Sequence, residues 1–238
     1  MRLAEKVGKL TNGKAFTSAS RHLFVRHRGA DLDPATLIGT IDPEAFEGIQ
    51  RRNPRDLSSS GWPKYLDLTK WMDKNLRRIR ALGLDGGSRK SVLDLGCGAG
   101  YFLFIAKYLG HDVLGLDIDE VPMFGEMIGL FGLKRVIWRV RPFIHLPQLR
   151  RQFDLITAFM ICFNGHKTPG LWGVEEWKFF LDDLSKHLKP RGRVCLSFNR
   201  EDDGRHYSEE LERFFVERGA EIEGQRVMFS RQACLGLA

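Results

Sequence analysis

One stretch constrains this chain more than any other: Ser91-Val-Leu-Asp-Leu-Gly-Cys-Gly-Ala-Gly-Tyr-Phe-Leu103. Val92, Leu93 and Leu95 form a short apolar run of the length of a buried strand. Gly96, Gly98 and Gly100 follow at once, and Tyr101 to Leu109 reads as a helix. A strand, a glycine turn and a helix N-terminus set bare backbone N–H groups at a strand's carboxyl end, where open α/β sheets bind ligands. A dinucleotide site uses G-x-G-x-x-G, whose third glycine lets helix and strand approach. Here the spacing is G-x-G-x-G, and Tyr101 stands in the place of that third glycine. Asp94, near the strand end, would repel a pyrophosphate but can accept from a cationic or hydroxylated group. The loop is therefore expected to hold a nucleoside without a diphosphate, which disfavours a nicotinamide-dependent oxidoreductase.

The next apolar run, within His111-Asp-Val-Leu-Gly-Leu-Asp-Ile-Asp119, ends in Asp117. A carboxylate at the end of a second strand can take both hydroxyls of a ribose, and the interval after Gly100 suits that role. VLDLGCGAGYF followed by VLGLDID resembles the class I S-adenosylmethionine-dependent methyltransferases, over residues 84–229. The resemblance implies that S-adenosylmethionine is the cofactor. It implies that Gly96, Gly98 and Gly100, with Cys97 among them, cradle its methionine part. Asp94 would lie near the ammonium, and Asp117, followed by Ile118, would hold the ribose. Many relatives carry an acid after the third strand, near the adenine amino group. This chain has Pro142 and Phe143 there, and Phe143 is expected to pack on the adenine. The fourth strand, through Phe159 to His166, would face the transferable methyl and the acceptor. It lacks the proline-flanked Asn or Asp of adenine-N6 methyltransferases, so that chemistry is disfavoured. The region 159–188 also resembles bacterial methyltransferase-domain proteins without an assigned substrate.

Apolar and turn patterns then alternate regularly. Strands are predicted over 91–95, 112–117, 135–140, 153–159 and 193–199, with helices over 101–109, 122–131, 174–187 and 208–218. A closing hairpin is predicted over 220–223 and 226–230. Such alternation implies a mainly parallel sheet. The fold class expected is α/β, a Rossmann-like methyltransferase fold with a seven-stranded sheet and an antiparallel C-terminal edge. Before it, Asp33-Pro34 and Asp42-Pro43 have the form of helix starts, and a longer helix is predicted over 63–82. The organisation expected is a basic arm over 1–30, a helical cap over 31–83 and a cofactor-binding domain over 84–238.

Composition narrows the partners. Seven Lys and Arg against one Glu in residues 1–30 carry six of the seven net positive charges, so the remainder is nearly neutral. A phosphate-binding surface is usually basic, so the acceptor expected is a small molecule, methylated on oxygen or on carbon. The alternatives are an RNA or protein methyltransferase docking through the arm, and a non-catalytic cofactor- or partner-binding module. No apolar run approaches a membrane span, and no apolar leader opens the sequence. Four scattered cysteines without a C-x-x-C read as reduced thiols, and a cytoplasmic protein is expected.

Methyl transfer from a sulfonium asks the protein to align the nucleophile and exclude water. A hydroxyl nucleophile also gains from a base, a role that suits histidine near neutral pH. His166 is the first candidate and His145 the second. Asn164, Trp172 and Tyr65 are candidate acceptor contacts. Glu201, Asp202 and Asp203 read as a solvated acidic loop, and no metal is expected.

Overall fold

Two aspartates begin the described chain's helices as their Asp-Pro pairs predict. The Asp33 carboxylate accepts from the Thr36 N–H at 2.7 Å and starts α1 (Pro34–Ile38); Asp42 accepts from the Ala45 N–H at 3.1 Å and starts α2 (Pro43–Arg52). Such caps satisfy N–H groups that a helix leaves without partners. The structure, a computed structural model, describes residues 32–54 and 61–237. The basic arm therefore lies outside the described residues.

The helix expected over 63–82 is divided. A 3-10 turn (Trp62–Leu66) comes first, and then Asp67 caps α3 (Leu68–Ala81) by accepting from the Lys70 N–H at 3.1 Å. An aspartate competes for backbone donors and so breaks a run that apolar spacing alone would continue.

The sheet follows in order: β1 (Ser91–Leu95), α4 (Tyr101–Tyr108), β2 (Asp112–Asp117), α5 (Pro122–Leu130), β3 (Arg135–Ile137), β4 (Phe153–Ile161), α6 (Val174–His187), β5 (Leu188–Phe198), α7 (Glu209–Glu217), β6 (Glu221–Glu223), β7 (Arg226–Ser230) and α8 (Arg231–Cys234). The strand order is β3-β2-β1-β4-β5-β7-β6, with β7 antiparallel to both of its neighbours. The order reverses direction between β1 and β4, and their carboxyl ends open a crevice there.

Alternate residues of the central strands face opposite sides. Val92, Leu155 and Cys195 share one apolar cluster with α3, α4, α5 and residues of α1 and α2. Leu93, Ile156, Val194 and Leu196 share the other with α6, α7 and α8. Leu37, Ile49, Met72 and Ile79 are buried in the first cluster, so the N-terminal helices share the sheet's core.

No helix connects β3 to β4. Residues 138–152 instead lie against α6, where the buried Asp183 accepts from the Leu146 N–H at 2.7 Å. Among the described residues no helix is long and apolar enough to cross a membrane.

Candidate active site

The turn after β1 needs its glycines for backbone reasons. Gly96, Gly98 and Gly100 have φ of +70°, +53° and +81°, the left-handed region that side chains disfavour. The Gly96 N–H donates to the Leu116 carbonyl at 2.7 Å and ties the turn to β2. Gly115 makes that approach possible, since a Cβ there would stand 2.7 Å from Cys97 Sγ. Asp117, at the end of β2, accepts from the Gly98 N–H at 2.5 Å and from the Ile118 N–H at 2.7 Å. Burial still pushes its carboxyl above the usual carboxylate range.

Asp94 is 4% exposed and accepts from Thr157 Oγ1 at 2.7 Å. Burial pushes its carboxyl up to about 7, against the opposing pull of the Thr157 hydroxyl and of Arg78. Arg78 was not among the residues expected at the site. Its guanidinium lies 4.2 Å from the Phe159 ring centroid, donates to Asn75 Oδ1 at 2.9 Å, and is electrostatically coupled to Asp94 and Tyr65. One cation and one carboxylate thus stand together at the switch point. Only Arg78's position in the turn above buried Asn75 distinguishes it from exposed Arg77 and Arg80.

The cap is joined to this end by Tyr101. Its hydroxyl donates to the Tyr65 carbonyl at 2.5 Å, so the residue replacing the third glycine anchors the 3-10 turn. Tyr65 stacks on Trp71 at 4.4 Å and meets the edge of Phe124 at 5.2 Å. A Cβ on Gly98 would stand 3.7 Å from the same Phe124 ring.

On the other side, the loops after β4 and β5 are clasped together. His166 Nδ1 lies 2.8 Å from Glu201 Oε1, Glu201 Oε2 accepts from the Lys167 N–H at 2.9 Å, and Lys167 Nζ pairs with Asp202 at 2.8 Å. The acidic loop is therefore engaged by the β4 loop, and Glu201, read from the sequence as solvated, joins the candidate site through His166. A carboxylate can only accept, so Nδ1 carries a proton, and in the neutral imidazole Nε2 is the basic nitrogen. Asn199 Nδ2 donates to the Ile161 carbonyl at 3.1 Å and lies 3.2 Å from Cys162 Sγ. The Cys162 thiol, in turn, is electrostatically coupled to Glu201 and Tyr65.

Four residues expected as contacts make interactions of their own within the fold. Trp172 is 5% exposed and packs edge-on against Trp177 at 5.2 Å and Phe180 at 5.5 Å. It belongs to the core because a large apolar ring gains most when fully covered. Asn164 is buried as well; its backbone carbonyl accepts from the Trp172 backbone N–H at 2.8 Å, while its side-chain Oδ1 has no partner among the described residues. His145 Nδ1 lies 2.7 Å from Asp183 Oδ1, so the second candidate base serves to dock the β3–β4 connection on α6. Phe143 is half exposed, with its ring 5.7 Å from Phe179 of α6. The residue joined to the end of β2 is instead Trp138, whose N–H donates to the Asp117 carbonyl at 2.9 Å.

A family model described as a methyltransferase domain matches residues 68–233. The chain belongs to the methyltransferase-domain family. Its strand order, glycine turn and paired carboxylates agree with the class I methyltransferase fold, for which S-adenosylmethionine is the expected cofactor. A curated relative, the tRNA U34 carboxymethyltransferase of Idiomarina loihiensis, is 28% identical over 177 residues, 70% of this chain. The chain spans 48% of that relative's length. Among solved structures, DesVI of Streptomyces venezuelae is 22% identical, with a TM-score of 0.41 over 54% of this chain and 50% of that one. The ribosomal protein L11 methylase of Lactobacillus delbrueckii subsp. bulgaricus is 19% identical, with a TM-score of 0.43 over 65% and 76%.

The residues present suit that cofactor. A Cβ on Gly96 would meet no protein atom within 4 Å, so the turn faces open space. The donor set is complementary too: carboxylates for an ammonium and a ribose, and a guanidinium for a carboxylate.

Proposed function

We propose that this methyltransferase transfers a methyl group to an oxygen of a small-molecule acceptor, with His166 as the base. The observation that carries the reading is the His166–Glu201 pair beside the crevice. When bound, the cofactor supplies an activated methyl group on a good leaving group. The chain's residues do the rest. Asp94 and Arg78 hold the two charges of the methionine part, and Asp117 holds the ribose. Phe159 stacks beneath Arg78 and keeps water from the reacting carbon. His166 Nε2 takes the hydroxyl proton as the new carbon–oxygen bond forms, and Glu201 steadies the resulting imidazolium through Nδ1–H. Tyr65 and Cys162 line the acceptor's approach.

The test has two stages. Calorimetric titration should show binding of S-adenosylhomocysteine and none of NAD. Labelled S-adenosylmethionine, incubated with fractionated metabolite extracts, should then yield a labelled product that is stable to mild base, as an ether is. Label that appears only in amines or thiols, or that is lost to mild base as from a methyl ester, would overturn this assignment.

A second reading has its own support. The curated relative is, by its name, an enzyme of tRNA. On this reading the acceptor oxygen is carried by an RNA.

A further inference from the structure

We infer that the acceptor is a phenol, and that Met160 and Leu171 hold its ring beside His166. This rests on the oxygen reading proposed above. β4, one of the two strands at the switch point, ends irregularly. Phe159 pairs with Ser197 and Ile161 with Phe198, the next residue of β5, so Met160 is an extra residue between them. Such a bulge re-aims the side chains around it. Ile161 is accordingly buried on the α6 side with Ala158, where strict alternation would turn it to the cap side. Met160 is left 40% exposed, with φ of +55°, in the left-handed region that side chains avoid. An uncovered thioether adds little to the core, and strain of this kind collects at binding sites.

The loop after β4 brings a second apolar group to the same place. It closes on itself: the Trp172 N–H donates to the Asn164 carbonyl at 2.8 Å and the Leu171 N–H to the Thr168 carbonyl at 3.2 Å. A Cβ on Gly165 would overlap the Gly170 carbonyl and stand 2.9 Å from the Leu171 nitrogen. Leu171, 41% exposed, is thus set beside the residue that precedes His166. The charges next to the imidazole pair with one another, Glu201 with His166 and Asp202 with Lys167. What they leave for an acceptor beside His166 is apolar surface. A thioether packs well against the edge of an aromatic ring.

The base selects the hydroxyl. A phenol titrates at about 10, roughly 3.5 units above an imidazole. An aliphatic hydroxyl is about as weak an acid as water, at about 15.7. General-base transfer works best where the two groups are closely matched, so an imidazole suits a phenol far better. The phenol's proton passes to His166 Nε2 as its oxygen bonds to the methyl carbon. The carbon–sulfur bond breaks with its electron pair going to sulfur, and the imidazolium then returns the proton to water.

The test uses 2-naphthol as the probe phenol and its saturated counterpart, decahydro-2-naphthol, as the control. Each is given to the full chain with S-adenosylmethionine labelled in its methyl carbon, and the product is identified by the magnetic resonance of the labelled group. The expected product is the aryl methyl ether, formed from 2-naphthol alone. Transfer to the saturated alcohol, or to neither probe, overturns the inference. An alkyl ether formed from the metabolite extract would then leave the oxygen reading standing, whereas label only in amines or thiols would overturn both. Met160→Gly tests the ring contact, because glycine accepts φ of +55° without strain. Its Tm and its S-adenosylhomocysteine affinity should match wild type, while calorimetry of the S-adenosylhomocysteine-saturated protein should show 2-naphthol affinity down roughly tenfold. Leu171→Ser should act in the same direction. Unchanged 2-naphthol affinity in both variants overturns the inference, and so does a loss that only follows a fall in Tm.

Discussion

The two halves of the crevice are built differently. The cofactor half, from β1 to β2, is made of backbone turns and two carboxylates within one continuous stretch, Asp94 to Ile118. The acceptor half joins groups distant in the chain: His166 with Glu201 across 35 positions, and Asn199 with the Ile161 carbonyl across 38. Local turns bind what relatives share. On the function proposed above, side chains set by long-range packing would carry the specificity for the acceptor.

The strongest way to break this contrast is His166→Gln. It should reduce methyl transfer by about 10²–10⁴, the usual worth of a positioned base, while leaving S-adenosylhomocysteine affinity as in wild type. Glu201→Gln should give a smaller loss and shift the pH–rate profile, because Glu201 acts only through the imidazole. If either variant weakens cofactor binding as much as turnover, the halves are not separable. Next in size, Asp117→Ala removes a carboxylate suited to both ribose hydroxyls. Calorimetry should show a loss of roughly 100-fold in affinity at two charge-assisted hydrogen bonds; an unchanged affinity would place the ribose elsewhere.

A pH titration sharpens the comparison further. Burial raises Asp94 to about 7 in the free protein, and a bound ammonium favours its charged form. Binding therefore releases a proton below that pH. Affinity should fall by up to tenfold per unit as pH drops below about 7, and hold steady just above it. Asp94→Asn should bind weakly and without that slope; a slope that persists assigns the proton to another group.

The smallest effect expected is that of Tyr101→Phe, which deletes the bond to the Tyr65 carbonyl. The loss should be about 1 kcal/mol of stability, read as a lower Tm. A loss of cofactor affinity above tenfold would show that the cap, too, belongs to the cofactor half.

The parallel order of strands, the glycine turn and both carboxylates were legible because each depends on neighbours in sequence. β1, β2, α6 and β7 have the boundaries that apolar spacing predicts. Other boundaries moved for identifiable reasons. Asp67 divided the long cap helix, and β3 stopped at Ile137 because the connection beyond it turns to dock on α6. The candidate acceptor residues fared less evenly. His166 and Tyr65 lie toward the crevice, whereas Trp172 is buried in the core and the exposed His145 pairs with Asp183 of α6. An indole and an imidazole carry no local mark that separates a wall from a core.

By itself, then, the sequence determined a sheet with a nucleoside-binding turn, since hydrophobic period, glycine φ and a carboxylate at a strand end act over a few residues. Tertiary structure alone decided that Arg78 rather than Arg77 acts electrostatically on Asp94, and that Glu201 pairs with His166. Those are distances between groups far apart in the chain, and charge and hydrogen bonding depend on distance in space.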